Sequence, residues 1–107
     1  MYEKKSSLTP HRARLVDLMQ QINFGRIEDL RVLKGQPQFN PPPRVFRTVK
    51  PGHANGSRPE AAKVDFELKA KLIDFFAHLD AVGDGVIERI EVQHGLPFLM
   101  TYEEVYA

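Results

Sequence analysis

The sequence predicts an α+β fold: an antiparallel sheet of four strands, with five as the alternative, and two helices on one face, arranged as a duplicated α-β-β unit about a pseudo-twofold axis. Residues 25–39 and 85–99 share the pattern G-x-I-E-x-[LI]-x-V-x-x-G-x-P and are identical at six of fifteen positions. Background residue frequencies give about one identity. The preceding segments, 13–22 and 70–79, also align, and each has the apolar spacing of an amphipathic helix. A single helix with a hairpin is marginal in water, so two copies are expected to share one core.

The size and composition of the chain favour one small globular domain. Its 107 residues are expected to form a single domain, 1–107, with one repeat at about 9–50, a loop at 51–60 and a second repeat at about 64–105. The contents of 42% hydrophobic and 27% charged residues are typical of globular proteins. The absence of cysteine excludes disulfides and thiolate metal sites. Together with a polar N-terminus and no long apolar run, it predicts a cytoplasmic protein without a membrane segment.

The first predicted element is a helix that begins at Thr9-Pro10. The Thr side chain can accept a hydrogen bond from an early backbone N–H, and Pro supplies the helical φ where no donor is needed. One helix face is apolar at the spacing i, i+3, i+4 and i+7, through Leu15, Leu18, Met19 and Ile22. Gly25 is predicted to end the helix in the left-handed conformation.

A β-hairpin is predicted next, with Lys34-Gly35 as its two-residue turn, because Gly tolerates the positive φ of a primed turn. This register places Val32 opposite Pro37 and Leu30 opposite Phe39. In both copies an Ile precedes the next apolar residue by three positions, which would put the two on opposite faces of a regular strand. We therefore expect a bulge near Glu28-Asp29 and Glu88-Arg89, or a strand start that is buried on both faces.

The middle of the chain predicts a further strand and then a loop. Residues 40–43, NPPP, should be extended, kinked or at a sheet edge, because proline cannot donate a ladder hydrogen bond. Residues 44–50, RVFRTVK, alternate in polarity as a strand does. Residues 51–60 are rich in Gly, Pro and Asn and predict the loop between the two halves.

The second half repeats the first. Its helix is predicted to begin at Asp65, with the capping pair Ser57 and Glu60 as the alternative start, and to end at Gly83. The apolar stripe of this helix consists of Leu68, Leu72, Phe75 and Leu79, broadened by Ile73 and Phe76. The second hairpin turns at His94-Gly95 and is predicted to pair Val92 with Pro97 and Ile90 with Leu99. A longer final strand follows.

The pattern of helix, Gly, strand, x-x-Gly and strand, clearest in INFGRIEDLRVLKGQP at 22–37, resembles the small bacterial YezD-like proteins of unknown function, which have one such unit. The likeness rests on Gly, Ile and Val positions in each half. It implies a helix-plus-hairpin unit, here present twice. This chain departs from the family in its two copies, in the prolines after the first copy, and in GDG at 83–85. The resemblance implies no activity, cofactor or site residue.

The titratable residues offer one candidate pair for catalysis. Glu28 and Glu88 occupy equivalent positions, and a pseudo-twofold axis would bring them close and raise the pKa of one of them. The alternative is that each pairs with a neighbouring Arg or caps a backbone N–H. The histidines lack metal-binding spacing, and no phosphate loop or nucleophile motif occurs. We predict no metal, no cofactor and no catalytic residue, and keep a small-molecule enzyme using Glu28 and Glu88 as the second alternative.

The net charge of +1 conceals a basic middle segment. Arg44, Phe46, Arg47 and Lys50 alternate cations with an aromatic ring, and on one sheet face they would hold phosphates and stack a base. The alternative is a core Phe46 with arginines that are solvated or paired with the acidic C-terminal half. We expect first a non-enzymatic interaction or regulatory module that binds a protein partner through a strand edge or the loop at 51–60. Nucleic-acid binding is the alternative; no membrane partner is expected, and a homodimer stays open.

Overall fold

The computed structural model describes residues 8–52 and 65–104. The described part is α+β, as predicted, and its sheet has five antiparallel strands. The elements in chain order are α1 (Pro10–Ile22), β1 (Gly25–Leu33), β2 (Gln36–Gln38), β3 (Arg44–Arg47), α2 (Asp65–Val82), β4 (Gly85–Gln93) and β5 (Leu96–Tyr102). Residues 53–64, which include most of the predicted loop and the alternative helix start, lie outside the described residues, as does the end of the chain from 105.

The strand order is β2-β1-β4-β5, and β3 also pairs with β1. Because β4 occupies one side of β1 along almost its whole length, β2 and β3 share the other side. Residues 39–43 leave the sheet between them. The sheet therefore has one interrupted edge, made by β2 and β3, and one continuous edge, made by β5.

The two central strands meet in a register that is preserved when the two halves are exchanged, that is, when 60 is added to each β1 residue number and subtracted from each β4 residue number. Gly25 lies opposite Val92, and Val32 lies opposite Gly85. The pairs Ile27–Ile90 and Leu30–Ile87 are related in the same way. The β1–β4 ladder is therefore self-complementary: its strands pair as two copies of one strand do about a twofold axis.

The start of α1 agrees with the sequence prediction, but its end does not. The N–H of Arg12 donates to the Thr9 side-chain oxygen at 3.2 Å, and Pro10 is the first helical residue. The residue that ends α1 is Asn23, and its N–H donates to the carbonyl of Met19 at 3.0 Å. Its φ of 64° and ψ of −60° form a γ-turn rather than a left-handed helical cap, and the N–H of Phe24 donates to the carbonyl of Ile22 at 2.7 Å. The helix therefore ends two residues before Gly25.

Gly25 serves a packing requirement instead. A Cβ atom there would lie against the carbonyl oxygen of Phe46 and 2.9 Å from Cγ2 of Ile22. The close approach of β3 to the start of β1 therefore needs a residue without a side chain. Gly83 does end α2 as predicted, with φ 68° and its N–H donating to the carbonyl of Leu79 at 3.0 Å.

Both hairpin turns are as predicted. The φ angles are 53° and 75° at Lys34-Gly35, and 55° and 74° at His94-Gly95. Two consecutive positive φ values are the mark of a type I′ turn. The adjoining pairs, Val32 with Pro37 and Val92 with Pro97, are also confirmed.

The pairs predicted farther from the turns are absent from both ladders, in the first half because the strand ends and in the second because the register shifts. Strand β2 ends at Gln38, so Phe39 has no ladder partner, and Ile90 lies opposite Met100 rather than Leu99. The cause in the second half is a register shift between Glu91 and Val92, which a second shift between Ile87 and Arg89 reverses. The second shift is the bulge predicted near Glu88-Arg89.

The equivalent irregularity in the first half is at Asp29, whose φ is 58°. A left-handed residue there allows Ile27 and Leu30 to point to the same side although they are three positions apart. Both are fully buried. The predicted irregularity near Glu28-Asp29 is therefore present.

The core lies between the sheet and the two helices. The sheet contributes one apolar face, made of Ile27, Leu30, Val32, Ile87, Ile90 and Val92. The helices contribute the side chains of Leu15, Val16, Met19, Ile22, Leu72, Phe75, Phe76 and Leu79. Each fully buried aliphatic or aromatic side chain contributes about 1.5–3 kcal/mol. Within the described residues, neither helix combines the length and apolarity that crossing a bilayer requires.

Candidate functional site

The helix-free face of the sheet carries an arginine cluster around Glu28, which we call the Glu28 cluster: Glu28, Arg26, Arg44 and Arg89. The Nε of Arg26 donates to Oε2 of Glu28 at 2.6 Å. Nη1 of Arg44 lies 3.5 Å from Oε1, and Nη2 of Arg89 lies 3.7 Å from Oε2. The Glu28 side chain is only 17% exposed. One carboxylate is thus shared among three guanidinium groups on three strands.

The contacts with these three arginines determine the charge state of Glu28. The hydrogen bond from Arg26 holds the pKa of Glu28 below its ordinary value, aided by the positive charges of Arg26, Arg44 and Arg89, while desolvation acts in the opposite direction. Glu28 is therefore an ionised hydrogen-bond acceptor at neutral pH. It is not a base with a raised pKa.

The β1–β4 ladder does not place Glu28 opposite Glu88, the candidate carboxylate pair of the sequence analysis. In the antiparallel ladder the residue opposite Glu28 is Arg89, and Glu88 is exposed beside it in the bulge of β4. The pseudo-equivalent positions are therefore not opposite one another. The ordinary explanation, pairing with neighbouring arginines, holds for Glu28.

The predicted nucleic-acid set is divided between the two faces of β3. Phe46 lies on the helix-free face, with its ring centre 4.1 Å from the guanidinium carbon of Arg26 and 5.1 Å from that of Arg44. Arg47 lies on the helix side, where Nη2 donates to the carbonyl of Gln21 at 2.7 Å. Lys50 follows the end of β3. Strand alternation separates these side chains, so they do not form one patch.

The charge of Arg44 is also largely balanced. Besides Glu28, it has Oδ2 of Asp29 at 3.8 Å from its Nη1. Arg89 in turn has Oε2 of Glu91 at 3.9 Å. The carboxylates that neutralise these arginines come from β1 and β4 rather than from the C-terminal tail.

The continuous edge of the sheet, the outer side of β5, is the second candidate site. Strand β5 pairs only with β4 among the described residues. Its sequence, LPFLMTY, carries no charged side chain. Phe98 and Leu99 are each 54% exposed. An uncharged edge strand with exposed apolar residues is a template for another strand.

A groove of about 240 Å³ runs between α2 and this edge, lined on the helix side by Lys71, Asp74, Phe75 and His78 and on the strand side by residues 97–100. At its end Nδ1 of His78 lies 3.2 Å from the hydroxyl of Tyr102. Nε2 of His78 lies 3.7 Å from Oδ2 of Asp74. This polar row ties β5 to α2 and borders the groove.

Sequence reasoning missed the row because its contact spans 24 positions between a helix and a strand. The only local signal was the spacing of Asp74 and His78, which places them on one helix face. The contacts of the row are hydrogen bonds and ion pairs that join α2 to β5 at the border of the groove.

Arg12 is a buried cation that the sequence analysis left unassigned. Its side chain is 3% exposed, and Nη2 lies 2.5 Å from Oδ1 of Asp80 and 2.9 Å from the carbonyl of Gly35. The guanidinium also lies 4.8 Å from the ring centre of Phe76. Arg12 thus joins α1, α2 and the first turn, which is a structural role. Its spacing of three and seven positions before Leu15 and Met19 was the signal that it lies on the buried face.

The described part of the chain contains no group of three or more His, Asp or Glu side chains that could hold a metal ion. Comparisons with protein-family models, curated proteins and solved structures gave no match.

Proposed function

We propose that the protein is a non-enzymatic interaction module that binds a protein partner by adding a strand at the outer side of β5. The observation that carries the proposal is an uncharged edge strand with half-exposed Phe98 and Leu99 beside the α2 groove. Its working location is proposed to be the cytoplasm, in keeping with a chain that has no cysteine.

Strand addition suits this edge for a simple reason. The outer side of an edge strand presents backbone N–H and C=O groups that an added strand can pair with. Side chains of the added strand alternate between the two faces, so one set would enter the groove beside Phe75 and the other would cover Leu99. Backbone pairing supplies affinity, and the groove supplies selectivity.

The opposite edge is less suited to the same use. Three consecutive prolines, at 41–43, interrupt it between β2 and β3, and proline offers no N–H for pairing. Strand β2 has three residues and β3 has four, whereas β5 has seven. Short and broken edges resist strand addition.

Binding of single-stranded nucleic acid to the helix-free face is the second candidate function. The position of Phe46 beside Arg26 and Arg44 on this face favours it, since bases stack on aromatic rings and phosphates pair with arginine. The contacts of Arg44 with Asp29 and of Arg89 with Glu91 reduce the surplus of positive charge, and this ranks it second. Fluorescence anisotropy with a labelled oligonucleotide at low salt tests it. Binding that Phe46→Ala weakens supports it, and no binding ends it.

Catalysis by Glu28 and Glu88 is not part of the proposal. A carboxylate whose pKa is lowered by three arginines is a weaker base than an ordinary one. The residue opposite Glu28 is an arginine, so the ladder does not provide a second carboxylate with which Glu28 could share a proton.

The test of the interaction function is affinity capture with the tagged chain from cells that produce it. The expected result is a stoichiometric partner that is lost with Leu99→Lys on the β5 edge. Val86→Lys is the matched control, because Val86 is exposed to a similar degree, 48%, but lies on the internal strand β4. A chain that captures no protein and instead turns over a small molecule would overturn the proposal.

The two halves are also proposed to derive from one duplicated α-β-β unit. The sequence pattern repeats with a shift of 60 residues, and the β1–β4 register and the two turns repeat with the same shift. Two unrelated segments would not be expected to repeat with the same shift in sequence pattern, strand register and turn position. A duplicated origin accounts for all of these correspondences together.

A further inference from the structure

We infer that the partner of the β5 edge is a second copy of this chain, whose own β5 pairs antiparallel to it about a twofold axis. This inference rests on the proposed function, since it requires that β5 accepts an added strand. It names the partner and makes the working form of the protein a homodimer.

The first support is the β1–β4 ladder inside the chain. That ladder already joins two helix-bearing halves strand to strand, in a self-complementary register and with both helices on one side. Pairing of β5 with the β5 of a second copy repeats this junction at the outer edge. Two five-stranded sheets would then form one continuous sheet, with all helices on the same face.

The second support is that β5 is compatible with itself. Antiparallel pairing about a twofold axis brings each residue near a copy of a neighbouring residue, so a charged strand would meet its own charges. The segment Leu96–Tyr102 has no charge to repel. Pro97 and the register shift beside Phe98 disturb the first part of the strand, which leaves residues 99–102 to carry the pairing.

The interrupted edge limits the assembly to two copies. A sheet with two open edges would continue to add chains and form a filament. Here the prolines at 41–43 and the short strands β2 and β3 close the other side. The predicted assembly is a closed dimer.

The first experiment measures the mass of the full-length chain by light scattering over about 1 to 200 µM. The expected mass at high concentration is twice 12.2 kDa. Leu99→Lys places two like charges near the axis and should weaken the dimer about tenfold or more. Val86→Lys should leave the dimer unchanged. Circular dichroism checks that both variants fold.

The second experiment uses the absence of cysteine in the chain. A single cysteine at Thr101→Cys, exposed on β5, should form a cross-linked dimer with a short bis-maleimide. Thr48→Cys, exposed just beyond β3 near the opposite edge, should not. A wild-type chain that stays monomeric at the highest concentration, or cross-linking through Thr48→Cys instead, would overturn the inference.

The outcomes separate this inference from the proposed function. If the chain is monomeric but captures a different protein, and Leu99→Lys abolishes that capture, the homodimer is wrong and the strand-adding module stands. If the chain neither dimerises nor captures a protein through this edge, both are wrong.

Discussion

The backbone N–H of Gly35, in the first hairpin turn, donates to the carbonyl oxygen of Gly83, at the end of α2, at 2.9 Å. The N–H of Gly95, in the second turn, donates in the same way to the carbonyl of Asn23, at the end of α1, at 3.0 Å. Each turn thus satisfies a helix-end carbonyl of the other half. The two halves are held together by a reciprocal pair of hydrogen bonds as well as by the core.

The crowding around the first turn predicts the effect of Gly35→Ala. A Cβ at Gly35 would lie 2.6 Å from Oδ1 of Asp80, and its φ of 75° is already unfavourable for Ala. We expect a loss of about 1–3 kcal/mol in the free energy of unfolding, measured by urea denaturation. Gly52→Ala is the control, because Gly52 also has a positive φ but nothing within 4 Å. Equal losses at both positions would show that crowding at Asp80 is unimportant.

The burial of Arg12 predicts unequal effects of removing the two members of its ion pair. Arg12→Ala should lower the free energy of unfolding by about 2 kcal/mol, because it removes packing against Phe76 and leaves the carbonyl of Gly35 without this donor. Asp80→Asn should cost less than about 1 kcal/mol, since Asp80 is 63% exposed and water screens its charge. Urea titrations of both variants compare them. A larger loss for Asp80→Asn would contradict this ordering.

The lowered pKa of Glu28 predicts a pH-dependent contribution to stability. A carboxyl group whose folded pKa lies below its unfolded value of about 4.5 stabilises the folded state above that value. The contribution is lost as the pH falls through the folded pKa. Wild type should therefore be more stable than Glu28→Gln at pH 7, and the difference should shrink below about pH 4.5. A pH-independent difference between wild type and Glu28→Gln would refute this explanation.

The two residues that broaden the apolar stripe of α2 should differ sharply in their contribution to stability. Phe76 is fully buried, and Phe76→Ala should cost about 3–5 kcal/mol. Ile73 is 38% exposed, and Ile73→Ala should cost less than about 1 kcal/mol. Thermal unfolding followed by circular dichroism measures both. Similar losses would mean that Ile73 is covered in solution, which would point to contact with another chain.

Local chemistry was sufficient to predict much of the fold. The cap at Thr9 and the two-residue turns at residues 34–35 and 94–95 each depend on a few neighbouring residues and were predicted. The irregularities near Glu28 and Glu88 were one of two alternatives that the sequence offered. The end of α1 was missed because the helix stops in a γ-turn at Asn23, which has no clear sequence signal, while Gly25 is required by its packing against β3.

The candidate site was less predictable because its contacts are long-range. The sequence does not state which β4 residue lies opposite Glu28, and a change of one position exchanges Arg89 for Glu88. That exchange decides between an ion-paired carboxylate and a carboxylate pair with a raised pKa. Likewise, the alternation of β3 divides Arg44 from Arg47, although the two are neighbours in a basic stretch.

Residues 39–43 leave the sheet between β2 and β3, and the strands on either side of them are fixed independently. The pair Val32–Pro37 before it and the pair Ile27–Val45 after it both keep their places on β1. Phe39 packs against the core, so the chain can lengthen or shorten after it, at residues 40–43, without moving these pairs. We expect inserted sequence to be tolerated there. A new recognition loop can be inserted at this position, in evolution or by design, and we expect the rest of the protein to fold as before.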